Sequence, residues 1–200
     1  MKTETENMVS METRAPRRKR RGLGIVELGL YLIIVAALVG AVIVAFYQLQ
    51  TGSKQGQVTS MVNDSYAAVQ DLHRTASSYG ADGTDLVDLM EVAEMIPPMG
   101  RIDPDGVAAS GDESIMTPFG EPMTIAAGGA VGAAGQSFTI TLQNYTRANC
   151  VDFMSSYVGR SIEQTGMLGA SSNGAAFAFP LTVAGVSGTC ANGALALEFR

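Results

Sequence analysis

Residues 20–50 read RRGLGIVELGLYLIIVAALVGAVIVAFYQLQ, and the organisation of the whole chain follows from them. From Leu28 to Phe46 nineteen residues run without a charge, and none appears again before Lys54. At 1.5 Å per residue those nineteen alone span about 28 Å, close to the hydrocarbon thickness of a bilayer. The expectation is a membrane helix. Directly before it lies Pro16-Arg17-Arg18-Lys19-Arg20-Arg21-Gly22, a compact basic cluster. By the positive-inside rule this cluster stays cytoplasmic and the remainder of the chain crosses. Met1 to Ala15 are polar and show no periodicity.

Composition agrees with that division. Of 200 residues 46% are apolar and 16% charged, which argues against disorder and fits one domain with an appendage. The net charge of −6 hides a split: residues 1–22 hold seven Lys/Arg and three Glu, whereas residues 23–200 hold six Lys/Arg and sixteen Asp/Glu. An acidic body of this kind does not hold nucleic acid by neutralising phosphates. With one His and two Cys, no Ser/His/Asp, Cys/His or paired-carboxylate arrangement stands out, so the expectation is a protein without enzymatic activity or cofactor.

Three simpler accounts of the N-terminus explain less. A conventional secretory signal has an apolar region of about 7–15 residues followed by a small-x-small cleavage site. Here the run is longer and ends in Phe46-Tyr47-Gln48-Leu49-Gln50. A basic nuclear or nucleic-acid tag would not need a bilayer-length helix beside it. A plain signal anchor leaves Glu27 unexplained. A carboxylate in hydrocarbon is costly unless paired, and such residues are usually functional. The helix offers no Lys or Arg to pair with it. A cut between Gly22 and Leu23 would create a cationic α-amine four residues before Glu27, and helices of neighbouring copies could bring such an amine to it as well.

A basic leader, Gly22, an apolar residue, Glu27 at the fifth position after the glycine, and a long apolar helix together resemble the prepilin signature of type IV pilins and related pseudopilins. The resemblance covers residues 20–50. It implies that a prepilin peptidase cuts after Gly22, that Leu23 becomes the first mature residue with its amine open to N-methylation, and that Glu27 is the acidic position used in assembly. Leu23 departs from the Phe usual in the type IVa branch; with the longer leader, the pattern looks like type IVb. Met8 and Met11 are alternative starts that would shorten the leader. In texture, the chain is most similar to plasmid-type pilins of thin conjugative pili.

Beyond Gln50–Gln57 apolar residues recur at Val58, Met61, Val62, Tyr66, Val69, Leu72, Ala76 and Tyr79, the stripe of an amphipathic helix. Residues 23–79 are therefore expected as one helix, with Gly40, Gly52 and Gly56 as weak points. His73 falls off the stripe and is expected as a surface residue. Gly80-Ala81-Asp82-Gly83 breaks the helix. Thr84 is expected to N-cap a second one, buried through Leu86, Leu89, Met90, Ala93 and Ile96 and ended by Pro97-Pro98. Asp103-Pro104-Asp105-Gly106, with Asp112 and Glu113, reads as a solvated acidic loop without calcium spacing.

From Pro118 the texture changes to short β-like runs. Strands are expected at Met123–Ala127, Ser137–Leu142, Ala175–Val183 and Ala194–Phe199, the third demoted to an edge or bulge by Pro180. Thr146–Gln164 has helical spacing. Gly128–Gly135 is too small for core and lacks the lysine and helix of a phosphate loop. The fold class is α+β, a helical spine on a small antiparallel sheet. Its parts are a leader (1–22), a transmembrane or filament-core helix (23–50), its amphipathic continuation (51–80) and a globular head (81–200).

Cys150 and Cys190 are the only cysteines. In an exported head two cysteines pair as a rule, and this spacing does not suit zinc. The region 150–190 also resembles the disulfide-bounded part of type IV pilins, whose contents face outward. The resemblance implies a structural pilus subunit, an inner-membrane precursor with its head in the periplasm and later part of an extracellular filament. Its partners would be copies of itself, the prepilin peptidase, the pilus assembly machinery and, before assembly, inner-membrane lipid. Two alternatives share much of the pattern: a pseudopilin of a type II secretion system, and a single-pass membrane protein with a periplasmic binding head.

Overall fold

The structure, a computed structural model, describes residues 24–102, 114–157 and 166–200. The expected acidic loop at Asp103–Asp112 and Glu113, and the cleavage pair Gly22 and Leu23, lie outside the described residues. The chain divides into two compact units, one ending at Phe46 and the other running from Tyr47 to Arg200.

Helix α1 covers Ile25–Leu72. Up to Phe46 every large apolar side chain on it is exposed, and an 18-residue window of the helix has a mean hydropathy of 2.8. This is the part long and apolar enough to cross a membrane. In the second unit the stripe turns inward: Val58, Met61, Val62 and Val69 are fully buried. The helix stops at Leu72, short of the expected Tyr79. The amides of Arg74 and Ala76 bond three residues back, tightening the last turn. Ser78 Oγ accepts from Gly80 N (3.1 Å), and Tyr79 N donates to Gly135 O (2.8 Å), so the backbone leaves the helix for a loop contact.

The second helix, α2, is only Val87–Val92. Thr84 does not cap it, contrary to expectation. Its hydroxyl donates to Ala81 O (2.7 Å), and the backbone at Asp85 bridges Ala126 in an extended pairing. The helix can begin only after that bridge, and Asp85 Oδ1 accepts from Val87 N (2.9 Å) at its start.

Among the described residues seven strands follow: β1 (Arg101–Ile102), β2 (Ser114–Met116), β3 (Pro122–Ala127), β4 (Phe138–Tyr145), β5 (Met167–Ser172), β6 (Ala175–Ala176) and β7 (Gly193–Phe199). They form one sheet in the order β1-β2-β3-β4-β7-β5-β6, every pair antiparallel. Phe138, Ile140 and Leu142 of β4 and Leu195, Leu197 and Phe199 of β7 are buried on one face, while Thr139 and Thr141 point the other way. Tyr66 of α1 lies on this face, its ring 5.1 Å from Phe199 and 6.0 Å from Phe138. A helical spine on an antiparallel sheet is what the pattern of alternation anticipated.

Between the strands, α3 (Arg147–Tyr157) falls within the expected 146–164 helix; residues 158–165 are outside the described ones. The expected strand 175–183 is corrected. Only Ala175–Ala176 pair as β6, the Phe179–Pro180 peptide is cis, and Val183–Thr189 form a helix, α4. Thr182 caps α4, its hydroxyl accepting from Gly185 N at 3.0 Å. A proline that cannot donate to a ladder, followed by a capping Thr, turns this stretch from strand to helix.

Candidate assembly and anchoring sites

Glu27 sits in the first turn of α1, where Glu27 N and Leu28 N both donate to Gly24 O, at 2.9 and 3.1 Å. A carboxylate in the first turn complements the partial positive charge of the helix N-terminus. The side chain is exposed, as are its apolar neighbours Ile25, Val26 and Leu28. It is the one charge on a helix surface that otherwise carries only apolar and small residues as far as Phe46. Such a surface cannot stay in water. It must meet lipid or other helices of the same kind, and there a carboxylate without a counter-charge costs several kcal/mol or takes up a proton.

In the head, Cys150 on α3 and Cys190 at the end of α4 are joined, with Cα atoms 5.8 Å apart and 40 residues of separation. Both are buried. Around them Arg147 N donates to Asn192 Oδ1 (2.8 Å) and Arg147 Nη2 donates to Ser187 O (2.7 Å). Ala191 N donates to Ser172 Oγ (3.0 Å). These bonds tie α3, α4, the end of β5 and the turn at Ala191–Asn192 together.

Two anchoring residues were missed by sequence reasoning. Gln55 lies in the polar stretch Gln50–Gln57, between Gly52 and Gly56, two of the expected weak points of the helix, yet it is buried. Its Oε1 accepts from Tyr145 Oη (2.8 Å) and its Nε2 donates to Asn149 O (3.2 Å). Its spacing to Val58, Val62, Ser65 and Val69 was the signal, since all five lie on the buried stripe. Burial raises the pKa of the Tyr145 hydroxyl despite that hydrogen bond.

The second is Glu198 of β7, on the sheet face away from α1 and nevertheless buried. Its carboxylate accepts from Val131 N (2.9 Å) and from Gly132 N. The Gly128–Gly135 segment therefore does use its amides to hold an anion, but the anion is the chain's own side chain. A Cβ on Gly129 would stand 2.0 Å from Glu198 Cδ, which is why this cover is built of glycine. Nothing in the alternation of β7 distinguishes Glu198 from a solvent-facing residue.

His73 is half-buried, its Nδ1 3.1 Å from Val69 O. Among the described residues no group of three or more His, Cys, Asp or Glu is placed to hold a metal ion.

Comparison with solved structures gives the fold. A type IVb pilin from Salmonella typhi matches with a TM-score of 0.50 at 21% identity, over 74% of this chain and 97% of that one. TcpA, a type IV pilin from Vibrio cholerae El Tor biotype, matches with a TM-score of 0.48 at 15% identity, over 74% of this chain and 99% of that one. No curated protein gives a significant match. The bundlin family matches residues 50–198, nearly the whole of the second unit. With an exposed apolar helix ahead of that match and a disulfide-braced α+β head within it, the chain belongs to the bundlin family of type IVb pilins, structural subunits of a pilus.

Proposed function

We propose that this pilin is made as a single-pass inner-membrane precursor, with the basic leader 1–22 in the cytoplasm and the head in the periplasm. A prepilin peptidase cuts between Gly22 and Leu23, and the new amine is methylated. Residues 23–50 then leave lipid and pack on their copies as the filament core. Residues 51–80 carry the head, and the 150–190 region faces outward. The assembly machinery of the inner membrane performs the extraction. No chemistry is catalysed by the subunit itself.

The observation that carries this reading is Glu27, a lone carboxylate in the first turn of a helix whose large apolar side chains are all exposed up to Phe46. In lipid the cut chain supplies its nearest counter-charge, the α-amine at Leu23. During assembly the carboxylate of an incoming subunit meets the amine of a docked neighbour and so selects the axial register. Moving from one low-dielectric surrounding to another makes the pairing strong, because little water screens it.

The test is Glu27→Gln in a host with the peptidase and assembly machinery. Membrane insertion and leader removal should stay near the wild-type level, since the helix has become more apolar. Extracellular filament yield should fall at least tenfold, and mixed expression should leave the variant poorly incorporated. Normal filaments at normal yield would contradict the role given to Glu27.

A further inference from the structure

A polar groove of about 170 Å³ opens in the head beside the end of α1, lined chiefly by His73, Ser77, Tyr79, Gln136 and Arg200. It is smaller than the ~300 Å³ at the lower end of drug-sized sites, which suits one ring rather than an extended ligand. One wall is bare backbone. Tyr79 N donates to Gly135 O (2.8 Å), and Gly135 has φ +68°, with a Cβ there meeting Ser78 Oγ at 2.4 Å. A side chain at Gly135 is thus excluded twice, by conformation and by space.

The polar groups are held in place. Gln70 Nε2 donates to Tyr79 Oη (3.0 Å) and to Arg200 O, and Arg200 N donates to Gly166 O (3.1 Å). Because Tyr79 Oη accepts there, its own proton is left to donate. His73 packs on Tyr79 with ring centroids 5.0 Å apart, and its Nδ1 faces Val69 O. A carbonyl only accepts, so Nδ1 carries the proton and Nε2 of the neutral ring is left as an acceptor. Among the described residues, the Arg200 guanidinium has no hydrogen-bond or ion-pair partner, whereas Arg74 faces Asp71 at 3.9 Å. An unpaired guanidinium stands out in residues 23–200, where Asp and Glu outnumber Lys and Arg sixteen to six.

We propose that this groove binds a single carboxylate-bearing sugar residue. The planar guanidinium of Arg200 takes the carboxylate, a bidentate match that a lysine would not provide. The hydroxyl of Ser77, the amide of Gln136 and the proton of Tyr79 serve the sugar oxygens, and His73 Nε2 accepts from a sugar hydroxyl. Gln136 Nε2 also donates to Ser77 O (3.4 Å), which leaves its second proton and its oxygen for the ligand. An apolar ligand would displace water from these groups without replacing its hydrogen bonds, and a bare anion would use only the arginine.

The test is titration of the full chain in detergent micelles with glucuronate, methyl glucoside and acetate, read by calorimetry and ligand-observed NMR. Saturable glucuronate binding is expected, at least tenfold tighter than either control. Arg200→Gln should weaken it about tenfold or more, the usual scale for one charge-assisted contact. Arg200→Lys should fall between the two, and near-UV circular dichroism should be unchanged in both. Absence of saturable binding, equal binding of acetate, or full affinity in Arg200→Gln would overturn the proposal. So would loss of filament yield in Arg200→Gln without uronate binding by the wild type, which would make the groove a contact between copies.

Discussion

The side chain of Gln55 uses both its ends inside the head, and Tyr145 depends on it for a buried partner. Tyr145→Phe would leave Gln55 Oε1 without its donor in a site that water does not reach. A buried acceptor stripped of its partner costs about 1–3 kcal/mol. Denaturant unfolding of the full chain in detergent should show that loss, and an unchanged midpoint would contradict the anchoring role. The same burial governs alkaline behaviour. Tyr157, whose hydroxyl donates to Asn63 Oδ1 (3.0 Å), has its pKa pushed up to about 12, and Tyr145 is raised as well, in both cases chiefly by desolvation. A folded-state pKa above the ordinary value of 10.0 contributes stability that is full below pH 10 and lost as pH rises through the folded value. The head should therefore lose stability as the pH climbs from about 10 to about 12, with late tyrosinate absorbance for these two residues. Ionisation of Tyr145 and Tyr157 near pH 10 in a folded head would argue against it.

At the scale of elements, the Cys150–Cys190 link ties α3 to the end of α4 and closes a 40-residue separation. In the chain-entropy account such a closure contributes on the order of 4 kcal/mol. Cys150→Ser should lower head stability by up to that amount and reduce filament yield, while leader cleavage proceeds; unaltered thermal unfolding would refute the bracing role. The elements differ in how readily they are read from sequence. The α1 stripe and the alternation in β4 and β7 were legible because each buries one face, so period and polarity coincide. Strand β5, Met-Leu-Gly-Ala-Ser-Ser, was not legible: its residues have little β-preference, and it is a strand because β7 and β6 flank it. Ala175–Val183 misled for the opposite reason, an apolar run that its proline and capping threonine divide. The true end of α1 was set by Tyr79 N finding Gly135 O, a contact between segments far apart in sequence.

At the scale of the molecule, a basic N-terminal stretch, a membrane-length apolar helix and an acidic body were all plain in composition, since each is a local property of the chain. The spacing of Gly22 and Glu27 is likewise local, and the processing and assembly roles given to the pair are those proposed above. The strand order was not, because the last strand, β7, inserts between β4 and β5, and no local pattern announces that. Anchors of the head were hidden for a related reason: Gln55 and Glu198 are polar residues whose burial depends on distant partners. The central claim is that the chain is exported, cut once and built into a filament. It is tested most directly by the N-terminal sequence and intact mass of the chain in filaments sheared from the cell surface. The account predicts a chain beginning at Leu23, carrying one methyl group on its amine, with Cys150 and Cys190 joined. A filament chain that begins at Met1, or that has been cut after residue 45, would contradict it.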